Sequence, residues 1–383
     1  MIRSLRLLPA IAAVLLLSLF ACSEEKSATS STPVGIKVSI AEAKADVQLD
    51  KLQLSEGFKI EVWAADVPNA RSMAISESGI VFVGNRQEKN VYALVDENGD
   101  GKADSKYILA NDLRMPNGVA IKDGDLYVAE VSRILRFKDI EKNLENPTYE
   151  VLYEGYPDEA HHGWKFIAFG PDGLLYIPVG APCNICVSED PIFASITRLD
   201  VSKPGAKPEI YAHGVRNSVG MDWHPMSKEL WFTDNGRDML GDDMPDCELN
   251  RATSLGQHFG YPYWHAGTIQ DPEVGSEGKE ASFYTAPATK LGAHTAPLGI
   301  RFYLGDQFPA SYKHQLFIAK HGSWNRSKKS GYEVVLARMD STGTVTSQEA
   351  WGRPVDVQEL KDGSLLISDD VANCIYRVTY TQQ

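Results

Sequence analysis

The chain alternates apolar and polar positions with a period of two in six similar segments. In each segment an apolar run leads into a tight turn, often Gly and Asp, and a second apolar run ends in a polar loop, which is typical of a β-hairpin. The segments read MAISESGIVFVGNR, GVAIKDGDLYVAE, FIAFGPDGLLYIPVG, GMDWHPMSKELWFTDNG, GIRFYLGDQFPASYKHQLFIAKHG and VDVQELKDGSLLISDD. Such a unit, repeated about every fifty residues, indicates a β-propeller.

Further apolar runs flank the hairpins and supply the remaining strands of each unit. Runs such as NVYALVD and SITRLDV follow hairpins, and runs such as SKYILAND precede the inner strands. We therefore predict an all-β fold, a six-bladed β-propeller with four-stranded blades. KIEVWAAD (59–66) has no preceding blade, so this N-terminal strand should complete the last blade and close the ring, which removes free strand edges. Residues 237–293 are too long for a plain connection, and we expect them to be functional or tied by a disulfide.

The first residues have the pattern of an export signal. MIRSLRLLPAIAAVLLLSLFACS places Arg3 and Arg6 before an apolar run too short for a comfortable membrane span. The run ends in LFAC and resembles a bacterial lipoprotein box, so we predict cleavage before Cys22 and lipidation of that residue. An ordinary secretory leader with an incidental cysteine is the alternative.

Three regions follow from this pattern. Residues 1–21 are predicted to be a lipoprotein signal peptide, residues 22–50 a lipidated polar tether, and residues 51–383 the propeller. Ser23 follows the lipidated cysteine. We expect the protein on the periplasmic side of a Gram-negative bacterium, anchored in the outer membrane by its lipid alone.

The net charge limits the classes of binding partner, and the cysteines indicate where disulfides are expected. The formal net charge of −13 argues against nucleic acid, because phosphate backbones require clustered cations. In an oxidising compartment the cysteines after Cys22 are expected to be bridged. Cys183 and Cys186 have redox-motif spacing but follow a strand and open no helix, so a local disulfide is favoured. The sequence does not decide whether Cys247 pairs with Cys374.

The phase of the repeat predicts which side chains meet. Loops that lead into the inner strands and loops that leave the second strands lie at one end of a propeller, opposite the tight turns. The cations predicted to surround a common well there are Arg71, Arg86, Arg216, Arg237, Lys320, Arg326 and Arg353. Burying so many cations without a counter-charge is costly, so the well is expected to bind a small anion. The alternative is that these residues pin neighbouring blades by hydrogen bonds to carbonyl groups.

Three stretches carry a family resemblance: HHGWKFIAFGPDGLLYIPVGAPCNIC, YAHGVRNSVGMDWHP with LWFTDNGRDMLGDD, and AHTAPLGIRFY with FIAKHGSWNRS. Through them the chain resembles the glucose/sorbosone dehydrogenase family of quinoprotein sugar dehydrogenases, which use pyrroloquinoline quinone (PQQ) on a six-bladed propeller. The last stretch is closer to the sorbosone and pyranose dehydrogenase branch. PQQ is a flat tricarboxylate, which is the kind of ligand that a ring of cations suits.

The resemblance also implies roles for residues. His162 is the implied general base, with His161 as the competitor, and Arg216 would hold the quinone oxygen at which negative charge develops. Gly236 and Arg237 resemble the loop that offers main-chain carbonyls to a Ca²⁺ ion. The remaining implied cofactor contacts are Asn217, Asn235, His294, Lys320, Trp324, Arg326 and Arg353.

These observations predict a PQQ-dependent oxidoreductase. It would oxidise a hydroxyl or hydrated aldehyde of an aldose-like or sorbosone-like sugar by hydride transfer to the quinone, and an external cytochrome or quinone would take the electrons. Two alternatives remain open: a calcium-dependent lactone hydrolase of the six-bladed type, and a non-catalytic propeller that binds glycans or a partner protein.

Overall fold

The structure is a computed structural model that describes residues 35–40, 47, 49–340, 344–351 and 354–381. In these residues the chain is built almost entirely from β-strands. The first ten are β1 (Ile36–Ser39), β2 (Phe58–Ala64), β3 (Met73–Ile75), β4 (Val81–Val83), β5 (Val91–Val95), β6 (Ser105–Ala110), β7 (Gly118–Lys122), β8 (Asp125–Ala129), β9 (Ile134–Phe137) and β10 (Tyr149–Tyr153). The next ten are β11 (Ala168–Phe169), β12 (Leu175–Val179), β13 (Ser195–Leu199), β14 (Glu209–His213), β15 (Met221–Trp223), β16 (Leu230–Asp234), β17 (Asp246–Ala252), β18 (Gln257–His258), β19 (Trp264–His265) and β20 (Ile269–Gln270). The last eight are β21 (Thr289–Ala293), β22 (Pro297–Phe302), β23 (Leu316–Lys320), β24 (Glu333–Met339), β25 (Val345–Trp351), β26 (Val357–Glu359), β27 (Leu365–Asp369) and β28 (Cys374–Tyr380).

The strands form six antiparallel blades of four strands, as the hairpin repeat predicts. From the inner strand outward, the blades are β3–β6, β7–β10, β11–β14, β15–β17 with β21, β22–β25, and β26–β28 with β2. The N-terminal strand closes the ring, since β2 pairs antiparallel with β28 from Phe58 opposite Tyr380 to Ala64 opposite Ile375. The last blade therefore contains both ends of the propeller.

Two regions differ from the predicted elements. β1 lies in the stretch predicted to be a tether, and it pairs through its backbone with β6 at the outer edge of the first blade. Residues 237–293 supply β17 and β21 to the fourth blade, and they also contain a small sheet of β19 and β20. β17 buries Glu248 and Asn250 beside its apolar residues, so it lacks the continuous apolar run of a typical buried strand.

The helical residues in the described chain form five short 3₁₀ turns. Their bounds are Leu49–Lys51, Ile140–Lys142, Gly275–Glu277, Ala281–Phe283 and Ala310–Tyr312. None of these turns has the length and apolar character that a membrane-spanning helix requires.

Each interface between adjacent blades holds an apolar cluster, because successive residues of a strand face opposite sides of the sheet. In β4, Phe82 packs with the second blade, whereas Val81 and Val83 pack with the sixth. In β16, Phe232 packs with the third blade and Trp231 with the fifth. Both faces of each blade are therefore buried, which explains the nearly continuous apolar inner strands.

Polar contacts join the inner strands around the axis. The Asp356 carboxylate of the sixth blade accepts the Met73 amide of the first at 2.8 Å, and Asp222 of the fourth accepts the Phe302 amide of the fifth at 2.8 Å. A Cβ at Gly220 would lie 2.0 Å from the Leu298 carbonyl oxygen, so this close approach requires glycine. These contacts hold the loops at the end of the axis in fixed positions.

Candidate active site

A cavity of about 910 Å³ lies where the loops before the inner strands meet the loops after the second strands. Segments from five blades line it, and the residues used below are Arg71, Arg86, His161, His162, Trp164, Arg216, Asn217, Asn235, Gly236, Asp238, His294, His321 and Trp324. The structure thus brings together residues that are up to about 250 positions apart, here Arg71 and Trp324. A cavity of this volume is in the range of small-molecule sites.

His162 lies in the cavity wall with a fixed tautomer. Its Nδ1 donates to the Ala181 carbonyl oxygen at 2.9 Å, so in the neutral ring Nε2 carries the lone pair. Nε2 has no hydrogen-bond partner among the described residues. Burial first, then the Arg216 cation and His161, lower the pKa of His162 to about 2. The ring is therefore neutral near pH 7 and can accept a proton from a bound hydroxyl.

The backbone fixes the position of this ring. His162 has φ of 51°, in the left-handed region that residues with a Cβ rarely adopt. Gly180 directly follows β12, and a Cβ there would lie 2.5 Å from the Cβ of His162. Any side chain at position 180 would displace the histidine. The adjacent His161 ring is exposed, with its centroid 4.0 Å from that of His162.

Arg216 is buried beside His162, and its guanidinium is held from two sides. Nε donates to the Asn184 carbonyl oxygen at 3.0 Å and Nη2 donates to Asn184 Oδ1 at 2.9 Å. Nη1 donates to the carbonyl oxygens of Asn235 and Gly236 at 3.1 and 3.0 Å. The nearest carboxylate oxygen to Nη2 is Asp238 Oδ2, at 3.6 Å. Arg216 thus presents a fixed positive charge to the cavity.

Arg71 and Arg86 also line the cavity, but they differ in their partners. Arg71 donates to Asn117 Oδ1 at 2.8 Å and pairs with Asp370 at 2.7 Å. The half-buried Arg86 guanidinium has no acceptor among the described residues, and its Cζ lies 3.8 Å from the centroid of the Trp164 ring. Burial first, then the Arg71 cation, lower the pKa of Arg86. Asp370, which already pairs with Arg71, offsets this only in part. A desolvated cation without an ion pair of its own is costly, and it indicates an anionic ligand.

Several predicted cofactor contacts line the same cavity. Asn217 is buried, and its amide N–H donates to Asp234 at 2.6 Å. The Asn235 side chain donates to the Asn217 and Pro297 carbonyls at 3.0 and 3.1 Å. His294 Nε2 bonds the Gly241 carbonyl at 2.8 Å. Trp324 forms the rim and is 70% exposed.

The other predicted cations lie elsewhere or are not described. Lys320 is buried at the end of β23, and its Nζ lies 3.4 Å from Glu333 and 3.3 Å from Gln348. Arg326 donates to the Asp242 carbonyl at 2.9 Å and pairs with Asp243. Neither residue lines the cavity. The Lys320 side chain is directed toward Glu333, and the Arg326 side chain is directed toward Asp243. Arg353 lies outside the described residues, as does Cys22.

The calcium site that the resemblance implies at the main-chain carbonyls of Gly236 and Arg237 stays a prediction, and the described contacts of these two residues bear on it. The Gly236 carbonyl accepts the Arg216 guanidinium at 3.0 Å, and the Arg237 side chain pairs with Asp271 and Glu273 at 2.5 and 2.7 Å. A Ca²⁺ ion on the Gly236 carbonyl would face a guanidinium and be repelled by it. Among the described residues, no group of three or more His, Cys, Asp or Glu side chains is arranged to hold a metal ion.

The cysteines follow the expected local pairing. Cys183 and Cys186 form a disulfide, with their Cα atoms 6.2 Å apart. Cys247 and Cys374 are free and buried, so the second candidate bridge does not form. The disulfide loop encloses Asn184, a residue that the sequence analysis did not single out and that holds Arg216. A polar residue inside a four-residue ring next to predicted site loops was the available signal.

Two buried carboxylates lie behind the cavity wall. Asp234 accepts the Arg216 and Asn217 amides at 2.8 and 2.6 Å, and it lies opposite Glu248 in the register of β16 and β17. Burial is the main cause that raises the pKa of Asp234 to about 6 and that of Glu248 to about 8. For Glu248 the folded state holds a proton that the unfolded chain releases above about pH 4.5. The free energy of unfolding therefore falls as pH rises through this range.

The Glu248→Gln variant tests this behaviour. It keeps an oxygen for the Ala266 amide, 2.6 Å away, and removes the buried ionisable group. We expect the variant to be more stable than the parent at pH 8.5, by about 3 °C in melting temperature, and to differ little at pH 5. Thermal unfolding at both pH values measures this, with the exposed Glu189→Gln as control. Equal differences at the two pH values would contradict the raised pKa.

The fold and the cavity together define a class: a six-bladed propeller whose axial site contains arginines and one buried neutral histidine. Residues 44–377 match the family described as "Domain of unknown function (DUF7133)", and the chain belongs to this family. A relative from Borreliella burgdorferi, described as an uncharacterized protein, is 31% identical over 354 residues, which cover 86% of this chain and 91% of the relative.

Proteins with named activities are more distant. An aldose sugar dehydrogenase of Escherichia coli is 30% identical over 175 residues, covering 41% of this chain and 44% of that protein. A Trichoderma reesei carbohydrate-active enzyme of family AA12 superposes with a TM-score of 0.74 at 19% identity, covering 89% of this chain and 100% of that one. The holo PQQ domain of Coprinopsis cinerea pyranose dehydrogenase superposes with a TM-score of 0.71 at 17% sequence identity. The superposition covers 86% of this chain and 97% of that one. These similarities show that the fold is that of the PQQ-dependent sugar dehydrogenases, and they do not select a branch.

Proposed function

We propose that the protein oxidises a hydroxyl or hydrated aldehyde of a sugar, with PQQ bound in the axial cavity as electron acceptor. One observation carries the proposal: the unpaired Arg86 guanidinium shares a cavity of about 910 Å³ with Arg216 and with the free Nε2 of the neutral His162. Such a cavity offers an anion site next to a base. The names of the similar dehydrogenases support the choice of a sugar and of PQQ.

The residues present fit a flat polycarboxylate. Arg86 has unused donors for a carboxylate, and guanidinium groups bind carboxylates through paired hydrogen bonds. Trp164 supplies an aromatic surface, and the Asn217 side chain, buried at the cavity wall, has no hydrogen-bond partner among the described residues. Arg86, Arg216, Trp164 and Asn217 are therefore the residues that would hold PQQ.

The chain's own groups then perform proton transfer and charge stabilisation. PQQ, when bound, supplies the acceptor for the hydride that leaves the sugar carbon. His162 Nε2 accepts the proton of the sugar hydroxyl, while the Ala181 carbonyl keeps the proton on Nδ1. The fixed Arg216 guanidinium stabilises negative charge that develops beside it, without reorganisation. Negative charge of the ligand near Arg86 and Arg216 also raises the basicity of His162, because it offsets the cations that depress its pKa.

The lactone hydrolase alternative requires several carboxylates around an axial metal ion. Among the described residues that line the cavity, Asp238 is the only carboxylate, and it lies 3.6 Å from both Arg216 and His294. This arrangement favours an anionic organic ligand over a metal-centred hydrolase.

A titration with PQQ tests the proposed function. Because Trp164 lines the cavity, PQQ is expected to quench tryptophan fluorescence saturably, and the loaded protein should reduce an artificial dye when aldoses are added. Absence of PQQ binding at high cofactor concentration would overturn the cofactor assignment. Binding without dye reduction by any of a panel of sugars would overturn the dehydrogenase assignment.

Chelation tests the implied calcium site. Since the Gly236 carbonyl is engaged by Arg216, we expect PQQ to bind the EDTA-treated protein as tightly as the protein in millimolar Ca²⁺. Fluorescence titrations under the two conditions give the comparison, with Mg²⁺ as a control for ionic strength. If Ca²⁺ tightened binding tenfold or more, which corresponds to about 1.4 kcal/mol, Arg216 must release these carbonyls to a cation.

A further inference from the structure

The disulfide loop of Cys183–Cys186 contacts Arg216, a residue of the cavity wall, through Asn184. Its backbone carbonyl and its side-chain Oδ1 accept Nε and Nη2 of Arg216 at 3.0 and 2.9 Å. These two bonds engage one edge of the guanidinium, and the carbonyls of Asn235 and Gly236 engage Nη1. Without the Asn184 side chain, Nη2 would lose its acceptor, and the guanidinium would be held by Nη1 and by the Nε bond to the backbone carbonyl of residue 184.

Asn184 also joins the opposite loop. Its Nδ2 donates to the Asp238 carbonyl at 3.0 Å, and its Oδ1 accepts the Asp238 amide at 2.8 Å. The asparagine therefore makes a two-bond contact with the backbone of residue 238 while it accepts Arg216. Because the side chain is bonded in three directions, its rotamer is fixed by its surroundings.

The disulfide restricts the backbone that carries this side chain. Asn184 lies inside a ring closed by Cys183 and Cys186, and Tyr261 Oη accepts the Cys186 amide at 3.3 Å. A covalent ring of four residues leaves few backbone conformations to the loop. The disulfide residues are only partly buried, and Cys186 lines a separate cavity of about 190 Å³.

We propose that Asn184 is the positioning residue that fixes the Arg216 guanidinium, and that the Cys183–Cys186 disulfide holds Asn184 in place. The catalytic consequence rests on the proposed function, whereas the positioning of Arg216 does not. Reduction by dithiothreitol, which transfers two electrons and two protons to the sulfurs and is itself oxidised to its cyclic disulfide, should loosen Arg216.

Arginine labelling tests the positioning without any cofactor. Phenylglyoxal modifies accessible guanidinium groups, and mass spectrometry of the peptide with Arg216 gives its modification rate. We expect Asn184→Ala and the double variant Cys183→Ser/Cys186→Ser to be labelled about fivefold faster than the parent, as the loss of one to two charge-assisted hydrogen bonds predicts. Asn184→Asp keeps the acceptors for Arg216 but loses the Nδ2 donor to the Asp238 carbonyl, so it should be labelled more slowly than Asn184→Ala, and Asn146→Ala, at an exposed turn, is the matched control.

A double-mutant cycle tests the consequence for the site. PQQ affinity is measured by fluorescence for the parent, Asn184→Ala, Arg216→Lys and the double variant. If Asn184 acts through Arg216, the effect of Asn184→Ala should fall several-fold in the Arg216→Lys background. Additive effects would show that Asn184 acts independently of Arg216.

The two proposals fail in different ways. If the parent does not bind PQQ, the proposed function fails, while the labelling rates still decide the role of Asn184. If Arg216 is labelled equally fast in the parent and in Asn184→Ala, the positioning role is wrong whatever the cofactor. If only the cysteine variant is labelled at the parent rate, the disulfide does not hold Asn184 and that part of the proposal fails.

Discussion

The His162→Ala variant is expected to lose PQQ-dependent sugar oxidation by about a thousandfold in kcat, the usual contribution of a general base. The reason is geometric: Nε2 is the unbonded ring nitrogen of a buried imidazole whose other nitrogen is committed to Ala181. PQQ affinity should change little, because the neutral ring carries no charge toward the cofactor carboxylates. Steady-state dye reduction and fluorescence titration separate the two effects.

The neighbouring histidine provides the control. His161 is exposed, and its side chain makes no hydrogen bond among the described residues, so His161→Ala should retain most of the activity. The low pKa of His162 also predicts that this ring is neutral in the unliganded protein between about pH 5 and pH 8. If His161→Ala is the inactive variant, the base has been assigned to the wrong ring.

The Arg86→Met variant should bind PQQ about ten- to a hundredfold more weakly, as the loss of a charge-assisted carboxylate contact predicts. At the same time, the unliganded variant should be at least as stable as the parent. Arg86 has no acceptor among the described residues, and Asp370, which attracts it, keeps its ion pair with Arg71. Removal of Arg86 therefore relieves the desolvation cost of the cation and leaves no carboxylate unpaired. Fluorescence titration measures the weaker PQQ affinity, and thermal unfolding measures the stability of the unliganded variant.

Arg71→Met is the matched comparison. It removes an arginine from the same cavity but leaves Asp370 without the guanidinium that lies 2.7 Å away. The Arg71 cation and the His321 hydrogen bond both lower the pKa of Asp370, so loss of Arg71 should destabilise the protein. If Arg86→Met proves as destabilising as Arg71→Met, Arg86 is a structural residue and its anion-binding role is wrong.

The fold was predictable because its units are local. A hairpin with period-two strands leaves its signature in about fifteen residues, and six copies at similar spacing define a propeller. The apolar pattern is interrupted in β17, where the polar residues Glu248 and Asn250 occupy buried positions and form hydrogen bonds. β1 does alternate apolar and polar residues, with Ile36 and Val38 on either side of Lys37, but it lies in a stretch of polar composition predicted to be a tether. Its exposed Lys37 pairs with Glu97.

The site was predictable in its location and less so in its contacts. The phase of the repeat identifies which loops meet, and Arg216, His162 and Trp324 do line the cavity. Phase does not give the direction of a long side chain at the end of a strand. Lys320 turns to Glu333 because that carboxylate lies opposite it in the register of β23 and β24. Such pairing depends on contacts between strands that no local sequence pattern contains.

The ring closure seen in the sixth blade has a consequence for biosynthesis. β2 is among the first strands to leave the ribosome, and β28, its hydrogen-bonding partner, is the last. Since β28 lies between β2 and β27, the circle cannot be completed before β28 has been synthesised, and β2 and β27 keep unpaired edges until then. A premature stop within β28 would therefore release a protein that contains the other described strands of the propeller and has an open, aggregation-prone edge between β2 and β27.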